Sequence, residues 1–162
     1  EVEEFSASFF EKGMVEVGTP YSLGPTRVQY QNKDPRGFAE FQDRFLSHSA
    51  EGSGRTMAGV QAKRPSLYDL EERLKALEVP TLLVIGDEDE PCLDANLFLK
   101  RTIRSSGLVM LPRTGHAANL EEPAAFNQTV AEFIATVEQN RWTLRDLRSV
   151  SGSALVAGTD ED

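Results

Sequence analysis

Residues 80–91 read PTLLVIGDEDEP. An unbroken run of leucine and β-branched residues over 81–85, stopped by Gly86, is the pattern of a parallel strand covered on both faces, because a half-exposed strand would alternate apolar with polar. Working outward, CLDANLFLKRTI follows as a helix with Pro91 near its start, where a missing N–H costs nothing. After Gly107 comes a second short apolar run, LVML, closed by Pro112. The loop PRTGHAANLEE leads to Pro123 in a first helical turn, and Phe126, Val130, Phe133, Ile134 and Val137 trace one face of a long last helix. The order strand, helix, strand, helix predicts an α/β unit over 79–141.

Upstream of Val79 the period changes to that of helices. Phe38, Phe41, Phe45 and Leu46 form one stripe of a helix starting after Asp34-Pro35. Leu67, Leu70, Leu74 and Leu77 form another, with Ser66 as N-cap and acids in its first turns. VGTPYSLGPT and SAEGSGR hold the turn formers and are expected to be loops. Residues 1–78 are thus expected to be a helical region, and 142–162 a tail with a poorly ordered end. The sheet presents a difficulty: LVML alone is available to pair with TLLVI, and a two-stranded parallel sheet does not stand by itself. The remaining strands are therefore expected outside these residues, which begin with Glu1 rather than methionine.

The 162 residues are 40% hydrophobic and 27% charged, a globular composition, with a net charge of −9 that argues against a phosphate-tracking nucleic-acid binder. Glu1, Glu3, Glu4, Asp160, Glu161 and Asp162 supply much of that charge, so the body is nearly balanced. Cys92 is the single cysteine, and with only His48 and His116 beside it no zinc-type ligand set is expected. No apolar run is long enough for a bilayer and no signal peptide is evident, so the expected compartment is the cytoplasm.

Asp89 lies three residues beyond Gly86, and His116 lies 27 residues further on, each in the loop after a strand, where open α/β sheets place functional groups. A buried carboxylate beside an imidazole fixes its tautomer and stabilises the imidazolium formed when histidine takes a proton. Read alone, GDED is equally a solvated turn and Gly115-His116 an ordinary loop. Two signatures separate these readings. PTLLVIGDED resembles the strand, glycine and acid of the α/β-hydrolase fold enzymes, and GHAANLEEPAAF resembles their histidine loop, G-H-x4-E-x-P-x2-F, in the family's order and spacing. The resemblance implies that Asp89 is a triad acid and His116 a triad base, with Asp87 the runner-up acid at the wrong offset. It also implies that the phenylalanine-rich first region, with Phe5, Phe9, Phe10, Phe38, Phe41 and Phe45, corresponds to part of a helical cap over a pocket.

The family's nucleophile elbow, G-x-S-x-G, has no counterpart: Ser22 follows Pro20 at the first glycine position, Ser53 has adjacent glycines, Ser105 has Ile103 before it, and Ser153 comes too late. The glycine-rich oxyanion loop is missing too. Cys92 follows the acid in the chain and reads as a small buried residue rather than a substitute nucleophile; His48 reads as an ordinary surface histidine. The expectation is an α/β-hydrolase portion acting on a small ester, lactone or similar substrate, without cofactor or metal, inactive alone and completed by a polypeptide carrying the serine. The competing expectation is a non-catalytic binding or assembly module that pairs through its open sheet edge with a second copy or with that missing half.

Overall fold

The computed structural model describes residues 2–150; the expected disordered end of the tail falls on 151–162 and lies outside the described residues. Helix α1 spans Val2–Ser22, α2 Val28–Lys33, α3 Pro35–Leu46 and α4 Ala50–Thr56, followed by a π-helical turn at Met57–Gln61 and a 3-10 turn at Tyr68–Leu70. After α5 (Glu71–Lys75) come β1 (Thr81–Gly86), α6 (Glu90–Thr102), β2 (Ser106–Leu111), α7 (Ala118–Glu121) and α8 (Pro123–Glu138).

The two strands pair in parallel from Thr81↔Ser106 to Gly86↔Leu111. They are the whole sheet among the described residues. Helix α6 packs on both strands and α8 on β1. The cover is incomplete, however: Leu82, Leu83 and Val84 are half-buried, Met110 is 43% exposed, and Ile134 of the α8 face is also exposed. The apolar strand pattern therefore forecasts more burial than these residues provide. At the far end Trp142 pins α8 to the sheet. Its indole donates to the Ser105 carbonyl at 2.6 Å, its ring meets Phe133 edge-on at 4.8 Å, and it occupies the space a side chain at Gly107 would need.

The deepest apolar cluster lies in the helical region, where Phe9, Met14 and Val17 pack with Phe5, Phe45, Ala50 and Met57. Two expected loops there are helical. Residues 17–22 belong to α1, which is interrupted only at Gly13, where φ is 80°, a value glycine adopts without strain. Residues 50–55 belong to α4, capped by Ser49 Oγ accepting from Gly52 N at 3.1 Å. Gly18 and Gly54 in these segments are packing residues. A Cβ on Gly54 would lie 2.6 Å from the Phe10 ring, and one on Gly18 would lie 2.9 Å from Leu46. Ser6 Oγ donates to the Gly54 carbonyl at 2.8 Å across the same contact. Close helix approach thus overrides local turn propensity.

The leucine helix differs in the opposite sense. Ser66 caps the opening turn as expected, its Oγ accepting from Tyr68 N while Ser66 N donates to Asp69 Oδ2, but that turn is 3-10, and the α-helix begins only at Glu71. Tyr68 packs against Phe98 of α6, 4.6 Å between ring centres. The helix that begins after Asp34 is as expected, with Pro35 in its first turn and Asp34 Oδ1 accepting from Gly37 N at 2.9 Å.

Gly86 ends β1 against the histidine loop so closely that a Cβ would run into the Thr114 and Gly115 carbonyls, both backbone groups. Gly86→Ala is therefore expected to destabilise the fold by about 2 kcal/mol or more, the usual cost of overpacking a site that cannot yield. The urea unfolding midpoint checks this; an unchanged midpoint would show that the loops have room to part.

Candidate active site

In-register pairing brings the loops after β1 and β2 side by side, and backbone groups join them. Asp87 N donates to the Leu111 carbonyl at 3.0 Å, and Glu88 N to the Thr114 carbonyl at 2.9 Å. Thr114 N donates to Asp87 Oδ1 at 3.2 Å, and Thr114 is fully buried. Asp87, the runner-up acid, thus holds the histidine loop rather than the histidine ring.

Asp89 is 4% exposed and stands at the N-terminal boundary of α6, but its carboxylate does not cap that helix. Instead Asp89 Oδ2 lies 2.8 Å from His116 Nδ1. The His116 side chain is 45% exposed, against 6% for that of Asp89. Buried acceptor and open imidazole favour the tautomer in which Nδ1–H donates to Asp89, leaving Nε2 as the available proton acceptor. The second carboxylate oxygen, Asp89 Oδ1, is buried with no hydrogen-bond partner.

Cys92, in the first turn of α6, places Sγ 3.8 Å from His116 Nδ1. That is the nitrogen the acid uses, so the thiol is badly placed to be activated as a nucleophile by Nε2. Burial, and next the Asp89 carboxylate beside it, push the Cys92 thiol above its ordinary range, which disfavours the thiolate. His48 lies apart from this group, its ring edge-on to Phe45 at 5.7 Å.

Residues without an assigned role in the sequence reading hold the histidine in place. Glu121, whose side chain is 0% exposed, accepts from Gly115 N at 2.6 Å and Ala117 N at 3.1 Å, bracketing His116. Its spacing of five residues from His116 within G-H-x4-E was the available signal. Helix α2 and the turn before it supply the rest. His116 N donates to the Thr26 carbonyl at 3.3 Å, Gln29 Nε2 to Glu88 Oε2, and Lys33 Nζ to Thr114 Oγ1 at 3.2 Å and Glu122 Oε1 at 2.6 Å. No sequence pattern announces these contacts, because they join residues 59 to 90 positions apart.

Beyond Thr26, Arg27 lines a cavity of about 510 Å³ with Phe9, Tyr21, Phe45, His48 and Met57. Its guanidinium sits 5.7 Å from the Phe41 ring centre and bonds Thr26 Oγ1 at 3.1 Å, with no carboxylate partner among the described residues. His116 lies outside this cavity's lining, and the link between them is the Thr26 carbonyl.

No protein-family model matches the chain. It is 28% identical over 93 residues to a putative 2-succinyl-6-hydroxy-2,4-cyclohexadiene-1-carboxylate synthase of Bacillus subtilis, covering 57% of this chain and 33% of that protein. Against the AB hydrolase superfamily protein YisY of the same organism it is 39% identical over 97 residues, 58% of this chain and 35% of the relative. The fold superimposes on MenH from S. aureus with a TM-score of 0.78 at 18% identity, over 85% of this chain and 51% of MenH. Over the part it spans the chain has the α/β-hydrolase fold, and its sequence is similar to that of proteins named for this superfamily. It spans about a third of the length of these curated relatives.

Removing the Glu121 carboxylate would orphan two N–H donors around His116, so Glu121→Ala is expected to cost about 3 kcal/mol, near the upper range for a buried group of this kind. Glu121→Gln, which keeps one acceptor oxygen, should cost less. Comparing the chemical denaturation midpoints of both variants checks the order.

Proposed function

We propose that this chain supplies the acid and base of a serine-type α/β-hydrolase acting on a small ester, lactone or similar activated carbonyl compound. The observation that carries the reading is the 2.8 Å contact between buried Asp89 and half-open His116, each in a loop at the same end of the sheet. In this reading His116 Nε2 takes the proton of a serine hydroxyl as the oxygen attacks the substrate carbonyl. Asp89 holds the ring orientation and stabilises the imidazolium, which then returns the proton to the leaving group. The serine and the donors for the developing oxyanion come from polypeptide outside this sequence, which contains no G-x-S-x-G.

The aromatic cavity suits the acyl or leaving portion of the substrate, and the carboxylate-free Arg27 on its wall suits an anionic or strongly polar substituent. The name of one B. subtilis relative denotes a carboxylate compound, in keeping with such a group.

The test is purification from the native source, intact-mass measurement and assay with a p-nitrophenyl ester. The expected outcome is no triad-dependent turnover by the chain alone and turnover when a companion segment bearing a serine elbow is present. His116→Ala should then lower kcat by roughly a thousandfold or more, and Asp89→Asn by a comparable factor. Hydrolysis by the isolated chain that disappears in His116→Ala would overturn the division of the site.

A second reading rests on the half-covered strands and the exposed Met110. There the chain is an assembly module whose sheet edge pairs with the remaining strands or with a second copy. A companion segment without a serine, and no esterase activity in the complex, would favour it.

Arg27→Met is expected to raise KM for a carboxylate-bearing ester about tenfold while changing kcat little and sparing a neutral ester. Equal effects on both esters would remove Arg27 from substrate selection.

A further inference from the structure

Asp89, Cys92 and His116 bring a carboxylate oxygen, a thiol sulfur and an imidazole nitrogen within 4.8 Å of one another. A single cysteine with only two histidines gave no expectation of a zinc-type set, and a carboxylate was not counted among the donors. Zinc bonds of about 2.3 Å to sulfur and about 2.0–2.2 Å to nitrogen and oxygen, at tetrahedral angles, put sulfur about 3.5 Å from nitrogen and nitrogen about 3.4 Å from oxygen. The corresponding distances here are 3.8 Å and 2.8 Å. Changes of about 0.3 Å in the sulfur–nitrogen separation and about 0.6 Å in the nitrogen–oxygen separation would accommodate the ion.

A second observation is independent of the cysteine. Asp89 is 4% exposed, and its Oδ1 is buried without a hydrogen-bond partner. A buried carboxylate with one oxygen lacking a donor carries an uncompensated cost, which a cation held on Oδ2 of the same carboxylate, with Oδ1 beside it, would relieve. The charges also balance: one thiolate and one carboxylate against a divalent ion leave a neutral cluster, with an open fourth position for water.

We propose that Asp89, Cys92 and His116 form a binding site for a thiophilic divalent cation such as Zn2+, and that occupancy switches off His116 as a base. The consequence for His116, though not the binding itself, rests on the hydrolase reading above. Binding releases the Cys92 thiol proton to solvent and forms the sulfur–metal bond. His116 Nδ1 can donate a lone pair to the ion only after its proton has moved, so the ring takes the tautomer with hydrogen on Nε2. The nitrogen that must accept the serine proton is then already protonated, and the metal replaces the Asp89 hydrogen bond that oriented the ring.

Titration of the purified protein, any companion polypeptide retained, with Co2+ under nitrogen tests the site. The expected result is one equivalent per chain, with the near-ultraviolet charge-transfer band of a cobalt–thiolate bond, displaced by Zn2+. Cys92→Ser should abolish the band and weaken binding at least tenfold. His116→Gln should keep the band and weaken binding similarly. Circular dichroism and an unchanged melting temperature for Cys92→Ser exclude loss of fold as the cause. Absence of the band in the unaltered protein, or equal affinity in Cys92→Ser, would overturn the proposal. Because the readout is binding, it fails or holds separately from the ester assay.

Discussion

The parallel pairing of β1 with β2 is the constraint on which the rest of the site depends. Equal-length strands in register, ending together at Gly86 and Leu111, place the acid loop and the histidine loop at one level. Adjacent parallel strands lie about 4.8 Å apart, a separation side chains from both loops can bridge. One residue of slip would carry His116 along the strand axis and turn the facing residues over. The absence of a side chain at Gly86 then allows the histidine loop to lie directly on the strand end, and the loops are joined by backbone bonds from Asp87 N and Glu88 N and by the Asp87 carboxylate, which accepts from Thr114 N.

Position on the sheet is not enough to hold a half-exposed imidazole. Glu121 fixes the loop from within, binding the amides on either side of His116, and α2 with the turn before it fixes it from without through Thr26, Gln29 and Lys33. The carboxylate of Glu121 is itself buried and lies 4.0 Å from Lys33 Nζ, so one lysine braces Thr114, Glu121 and Glu122 together. The helical region therefore contributes to the site as well as roofing a cavity. The aromatic contacts that run from Phe5 through Tyr21, Phe45 and Phe41 to Tyr30 give that region the rigidity to do so.

What the sequence made legible follows the range of the forces involved. TLLVI, LVML, Pro35, Pro91 and Pro123 mark their elements because strand patterning and proline sterics act within a few residues. The pairing of Asp89 with His116 was readable because each is fixed to a strand end. Gly18 and Gly54 misled because glycine favours both turns and close helix packing, and only distant partners such as Phe10 and Leu46 select between them. The Leu67–Leu77 stripe overstated its helix for a related reason: Ser66 and Asp69 found each other first and tightened the opening turn. Cys92 beside His116 and the α2 clamp depend on packing across the chain and left no local mark.

The backbone bonds between the two loops also govern how the molecule opens. The amides of Asp87 and Glu88 are held by carbonyls of the opposite strand and loop. Their exchange with deuterated water is consequently tied to one event, separation of the loop after β1 from the histidine loop, and both share its free energy. Asp89 and His116 thus sit on one cooperative unit, assembled together or lost together.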